Sequence, residues 1–230
     1  MTRLILLPAF DGTGLMFAPF VRELKNRFAA WVISYPLSGP QDYAALARYV
    51  RRQIPENEHY ILLGESFAGP LVYEIAMADP LNCKAAVFVA TYLTNPRPWF
   101  LKILAMLPAT IISRFVSSRL IVRLLSLSSK ADGSVAKAIA ENFASVEPIL
   151  IKQRLRTIGS LGPDPQSIVE IPCCYLQAGK DRLVPAHKLK DFRKLCPALE
   201  VKQVEGGHFI LQEQPEACAA AVASMLQTIG

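Results

Sequence analysis

The stretch Tyr60-Ile61-Leu62-Leu63-Gly64-Glu65-Ser66-Phe67-Ala68-Gly69-Pro70-Leu71 decides how the rest of the chain is read. An apolar run of strand character enters a cluster of small residues, and helical spacing takes over from Leu71 to Ala78. A nucleophile elbow needs that setting: a sharp strand-to-helix turn carrying a serine, with flanking residues small enough for the strained backbone to pack closely. Ser66 would stand at the C-terminal edge of a sheet, with the Phe67 N–H at the positive end of the next helix aimed where an oxyanion forms. Ala68 occupies the second glycine place of the GxSxG pattern, and Gly69 follows it. The same residues also suit a plain helix N-cap serine, so the elbow depends on partners elsewhere.

Outward from this turn, short apolar runs alternate with helical patterns. Strands are predicted over Arg3–Leu7, Trp31–Tyr35, His59–Leu63 (stopped by Gly64), Lys84–Ala90, Ile171–Gln177 and Glu200–Val204. Helices are predicted over Phe17–Phe28, Tyr43–Gln53 behind an Asp42 cap, Phe67–Ala78, Pro185–Leu195 and Glu213 to Leu226. Pro96-Arg97-Pro98 opens a long helical region that Gly162-Pro163-Asp164-Pro165 closes. Strands apolar on both faces and separated by helices imply an α/β, doubly wound, six-stranded and mainly parallel sheet. A helical cap over 95–165 is inserted after the fourth strand, dividing a core made of 1–94 and 166–230.

A serine hydroxyl needs a base, and the chain has three histidines. His59 precedes the third strand, at the wrong end for such a site. His187 lies in the first turn of a helix after Pro185, where capping or solvation suits it, although it is near Asp181. His208 follows the sixth strand in Glu205-Gly206-Gly207-His208-Phe209, and its two glycines let a loop fold back over the sheet edge. The third partner is a carboxylate that orients the imidazole. Asp181 ends the fifth strand in Gly179-Lys180-Asp181-Arg182-Leu183-Val184-Pro185; the bland reading is a turn aspartate paired with Arg182.

Together these segments resemble the α/β-hydrolase-fold serine hydrolases, from the first strand to the last helix. The resemblance rests on three signatures in order: a strand with a Gly-rich loop (Leu6–Gly14), the elbow at Ser66, and the GxxDxxVP and GGH segments at Asp181 and His208. It implies a Ser66–His208–Asp181 triad and an oxyanion hole from the Phe10 and Phe67 amides. The family's first loop usually begins His-Gly; here Pro8-Ala9 stand there, so Asp11 is the alternative to Phe10. The family's first two strands look absent, which leaves a six-stranded, all-parallel sheet. No cofactor or metal is implied. The Ser-Phe pair and the strand-first layout are similar to thioesterases of acyl-carrier systems and to acyltransferases of fatty acyl groups. The expected activity is hydrolysis of carboxylic esters or thioesters of apolar acyl groups through an acyl-enzyme on Ser66. Acyl transfer from the same acyl-enzyme, or a non-catalytic small-ligand receptor on the same fold, are the alternatives.

Composition limits the rest. The 230 residues suffice for one self-supporting core, and 52% apolar against 19% charged residues is far too apolar for disorder. Five cysteines, an odd number without a metal-like repeat, read as free thiols in a reducing, cytoplasmic setting. Cys173 and Cys174, adjacent on a strand, are expected to face opposite sides as core fillers. The Arg3–Leu7 run is broken at Pro8 and reads as a strand and not a signal peptide; Trp99–Ile112, cut by Lys102 and Pro108, is too short to span a bilayer.

Net charge is +6, and the excess is local. Between Asp79 and Asp132 there is no acidic residue, whereas Lys84, Arg97, Lys102, Arg114, Arg119, Arg123 and Lys130 are basic; the remainder carries 18 basic and 19 acidic residues. These cations are interleaved with aliphatics, and no nucleic-acid-binding motif accompanies them. On a helical wheel over Ser118–Lys130, Arg119, Arg123 and Lys130 share a stripe opposite Leu120, Ile121, Leu124 and Leu125. Three readings follow: an ordinary cap helix with its apolar face on the core, a lid with Trp99, Phe100, Met106 and Phe115 as walls of an acyl pocket, or a helix that meets anionic lipid. Arginines near the mouth would also suit a phosphate-bearing leaving group such as coenzyme A.

Overall fold

A computed structural model describes residues 3–24, 27–56, 58–162 and 167–227. Met1 and Thr2, Pro163-Asp164-Pro165 and the predicted boundary between 165 and 166 lie outside the described residues.

The sheet consists of β1 (Arg3–Leu7), β2 (Ala29–Val32), β3 (Tyr60–Glu65), β4 (Cys83–Val89), β5 (Cys173–Ala178) and β6 (Leu199–Val204). All pairings are parallel, in the order β2-β1-β3-β4-β5-β6. The chain steps from β1 outward to β2, then returns to add β3 on the other side of β1. Such a reversal opens a crevice at the carboxyl ends of the two strands involved. The loop after β1 and the turn after β3 meet there.

Alternation of side chains along each strand feeds two cores. Ile5, Leu7, Leu62, Phe88, Cys173 and Tyr175 face one side, and Leu4, Leu6, Leu63, Val87, Cys174 and Leu176 the other. The helices before the fifth strand are α1 (Ala18–Leu24), α2 (Tyr43–Arg51), α3 (Gly69–Ala78), α4 (Pro98–Met106), α5 (Ala109–Val116), α6 (Arg119–Ile121), α7 (Gly133–Ala144) and α8 (Pro148–Gly159). After it come α9 (Leu189–Leu195), α10 (Ile210–Glu213) and α11 (Pro215–Gln227). Helices α2, α3 and α9 cover the first core and α1 and α11 the second. All five cysteines are free and buried, with Cys173 and Cys174 in opposite cores. Among the described residues no helix is long and apolar enough to cross a membrane.

Three elements differ from their predicted form. The second strand is regular over Ala29–Val32 and not Trp31–Tyr35. Its partner β1 ends at Leu7, before a proline that has no N–H to offer, so only isolated bonds continue: Ile33 N–H to Leu6 O at 3.1 Å and Tyr35 N–H to Gly12 O at 2.8 Å. Gly64 does not stop β3, which stays in register with β4 through Gly64–Phe88 and Glu65–Val89. A short helix over Ile210–Glu213 precedes the predicted last one, which runs over Pro215–Gln227; Gln214 separates them because the residue before a proline is pushed out of helical geometry.

Between β4 and β5 the chain forms α4 to α8. Proline at the first turn starts α4 and α8, where the missing N–H costs nothing. Asp132 caps α7 by accepting from Ser134 N–H at 2.8 Å. The predicted wheel over Ser118–Lys130 breaks down. Helix α6 runs into a π turn over Val122–Ser126, and Leu127 is extended. The wider turn changes the phase of the helix. Leu120 and Leu124 consequently lie exposed beside Arg119 and Arg123, and only Ile121 and Leu125 of the apolar arc turn inward onto a cavity.

Candidate active site

Ser66 opens a 3-10 turn (Ser66–Ala68) between β3 and α3 with φ of 52°. A left-handed serine is strained by roughly 1–3 kcal/mol and persists only where its surroundings overdetermine it. Here β3 fixes one side and a hydrogen-bonded group the other. The Thr91 hydroxyl donates to Ser66 O, while Tyr175 OH donates to Thr91 O at 2.7 Å and Thr91 N–H donates back to the phenol oxygen at 3.2 Å. Gly69 is needed for close approach, since a Cβ there would strike the Thr91 side chain and stand 2.8 Å from Tyr92 O. Ala68 is fully buried in the turn.

His208 reaches the same place from the loop after β6. Its Nε2 is 2.7 Å from Ser66 Oγ, and its Nδ1 is 2.8 Å from Asp181 Oδ2. The other carboxylate oxygen of Asp181 accepts from Leu183 N–H and Val184 N–H, both at 2.8 Å. A carboxylate can only accept, so the proton lies on Nδ1 and Nε2 is free to accept from the serine hydroxyl. Burial pushes the His208 pKa down, but the charge and hydrogen bond of Asp181, helped by Glu65, outweigh it and raise the value above 6.5. His187 and His59 take no part in this series.

The loop after β1 closes the other flank. Gly12 N–H donates to Ala9 O at 3.0 Å, closing a tight turn over Phe10 and Asp11. Phe10 lines the cavity with Ser66, whereas Asp11 is buried behind it. Phe67 is in the first turn of the helical segment after β3, whose N–H groups have no partner further back.

Above Ser66 and His208 lies a cavity of roughly 130 Å³ with mostly apolar walls. Phe10 and Phe209 line it from the loops at the sheet edge, and Leu104, Phe115, Leu125 and Phe143 from the segments between β4 and β5. Phe100 and Phe115 therefore sit where the sequence expects them. Trp99 and Met106 do not: they are 81% and 79% exposed. The reason is helical phase, because α4 turns Leu101 and Leu104 inward and carries Trp99 and Met106 on the opposite face. Arg97 at the mouth is spent on Arg182 O at 2.7 Å and Leu183 O at 3.3 Å, and Arg182 Nη1 donates to Leu124 O.

The profile of the alpha/beta hydrolase family matches residues 4–221. The chain belongs to the alpha/beta hydrolase family. Solved structures agree on the fold of this alpha/beta hydrolase. An enol-lactonase from Burkholderia xenovorans LB400 shares 13% identity over 98% of this chain and 91% of its own, with a TM-score of 0.86. A thermophilic esterase from Thermogutta terrifontis shares 15% over 100% and 90%, at 0.79. The RedJ thioesterase of the prodiginine pathway in Streptomyces coelicolor shares 18% over 97% and 85%, at 0.72. No curated protein matches the sequence.

Two groups beside this site are not singled out by the sequence reading. Arg154 of α8 is 1% exposed and reaches back to the loop after β1. Its Nη1 donates to Phe10 O at 3.1 Å and also to Asp11 O, its Nε donates to Gln41 Oε1 at 2.9 Å, and it lies over the Tyr35 ring. Gly12, with φ of 71°, leaves the guanidinium its space. Nearby, Asn142 donates to Asp11 Oδ2 at 3.0 Å and accepts from the Thr13 hydroxyl at 2.9 Å. Arg154 had a signal: Leu150, Ile151, Arg154, Leu155 and Ile158 form one helical stripe, and a lone cation among them has to be buried with partners. Glu65, at the end of an otherwise apolar strand, is also buried. It accepts from Gln212 Nε2 at 3.2 Å, and burial raises its pKa to about 8 against the lowering pull of Gln212 and His208.

Proposed function

We propose that this alpha/beta hydrolase is a serine hydrolase that cleaves carboxylic esters or thioesters of apolar acyl groups. The observation that carries the reading is the hydrogen-bonded series Ser66–His208–Asp181 at the base of an apolar cavity. Ser66 Oγ attacks the acyl carbonyl as His208 Nε2 accepts its proton, and Asp181 stabilises the imidazolium. The amides of Phe10 and Phe67 receive the oxyanion, Phe10 being preferred to Asp11 because it fronts the cavity. His208 then protonates the leaving alcohol or thiol, and water activated by the same imidazole releases the acid. Phe100 and Phe115 hold the acyl chain, and the helices over 95–165 act as the cap. The five buried free thiols suit a reducing, cytoplasmic setting.

The test is a panel of p-nitrophenyl esters of increasing chain length beside acyl-coenzyme A, with fluorophosphonate labelling of the serine. Turnover and labelling are both expected, and Ser66→Ala lowers kcat on the order of 10⁶-fold. A loss below tenfold sinks the assignment, and labelling without turnover points to a receptor on the same fold.

A further inference from the structure

We propose that α4 and the segment from Arg119 to Leu124 dock on an anionic lipid surface, from which the cavity takes its acyl substrate; the substrate half of this rests on the serine-hydrolase reading above. Thirteen large apolar side chains are exposed among the described residues, and seven of them fall between Trp99 and Leu124, which makes this face unlike the rest of the surface. On α4, Trp99, Ile103 and Met106 recur at helical spacing with Lys102 between them, all exposed. On the second segment Leu120 and Leu124, 64% and 52% exposed, alternate with Arg119 and Arg123. The two faces adjoin, because Arg182 links them: its carbonyl accepts from Arg97 at the start of α4, and its guanidinium donates to Leu124 O.

Charge selects the occupant. No acidic residue lies between Asp79 and Asp132, so the ionised side chains of these two segments are all cationic, with Asp132 beside Arg123 at their border. A second copy of the chain would bring like charge against like charge, whereas an anionic headgroup layer offers the complement, with its apolar interior for Trp99 and Met106. Position supplies the link to the substrate. Phe100 and Arg97 are exposed and also line the cavity, so the mouth opens beside the α4 face.

The test is flotation of the full chain with phosphatidylcholine vesicles, with and without phosphatidylglycerol. Binding is expected to the anionic vesicles, weaker by about thirtyfold for Lys102→Gln/Arg123→Gln, and reduced by added salt. Trp99→Ser/Met106→Ser is expected to weaken it by at least about tenfold. The same double variant slows turnover of an ester dispersed in those vesicles but keeps the wild-type rate on a soluble short-chain ester. Equal binding to both vesicle types, or variants that bind like the wild type, overturns the proposal. So does self-association that Trp99→Ser/Met106→Ser abolishes, since the face then belongs to a dimer. Ser66→Ala binds vesicles unchanged, so failed docking with Ser66-dependent ester turnover condemns this inference alone, and docking with Ser66-independent turnover condemns the hydrolase reading.

Discussion

The sheet body and the helices between β4 and β5 solve opposite problems with the same kinds of residue. In the body, the polar groups of the Ser66 series enter the interior fully engaged: Asp181 accepts three hydrogen bonds, and His208 uses both ring nitrogens. In the helical region the cations stay at the surface beside exposed apolar side chains. Arg154 crosses from the second region into the first, buried against the loop after β1. Precision is thus concentrated at the sheet edge, and the helices supply walls and surface around it.

Substitutions can break that contrast, beginning at its sharpest point. Asp181→Asn keeps the shape of the body but favours the wrong imidazole tautomer, and kcat on a p-nitrophenyl ester should fall by about 10⁴-fold with little change in unfolding temperature. Arg154→Met tests whether a residue of the helical region belongs functionally to the body. It leaves the Phe10 and Asp11 carbonyls and Gln41 without their donor, at a cost of about 3 kcal/mol in urea unfolding, and misplaces the Phe10 amide, lowering kcat about a hundredfold. A loss of stability with intact kcat would make Arg154 structural only.

Glu65→Gln addresses a buried acid with a raised pKa beside the site. Between the ordinary value of 4.5 and about 8, folded Glu65 keeps a proton that the unfolded chain has released. Stability therefore falls as pH rises through that window, by up to roughly 1.4 kcal/mol per pH unit, and is fully present below it. Urea midpoints measured at several pH values should show this slope in the wild type and lose it in Glu65→Gln. The smallest contrast lies within the helical region: Phe115→Ala, on the cavity, should shift chain-length preference by about tenfold, while exposed Trp99→Ala leaves soluble-ester kinetics unchanged.

The turns were legible in the sequence because each is built from residues with little choice. Gly64-Glu65-Ser66 after an apolar run, Gly206-Gly207-His208 and the Asp181 loop each combine backbone freedom with one reactive side chain. The partners of Arg154 and Asn142 were not, since they lie on a loop more than a hundred residues earlier in the chain. Trp99 and Met106 were misplaced because size and hydrophobicity mark a residue as a possible wall without giving the rotation of its helix. The π turn after Ile121 defeated the wheel for the same reason, as a fixed angular step cannot anticipate a change of pitch.

Glu213 has a mechanical consequence. Its carboxylate receives the Gly207 N–H at 3.1 Å, the Ser128 N–H at 3.0 Å and the Ser128 hydroxyl. The chain just beyond the π turn is thereby pinned to the loop that carries His208, while α4 is held at its start by solvent-exposed bonds from Arg97. At its other end α4 is tied down as well, by buried Leu101 and Leu104 and by Lys152 of α8, which donates to Leu107 O at 2.7 Å. The wall of the cavity and the aim of the imidazole therefore share one fastening, the Glu213 carboxylate.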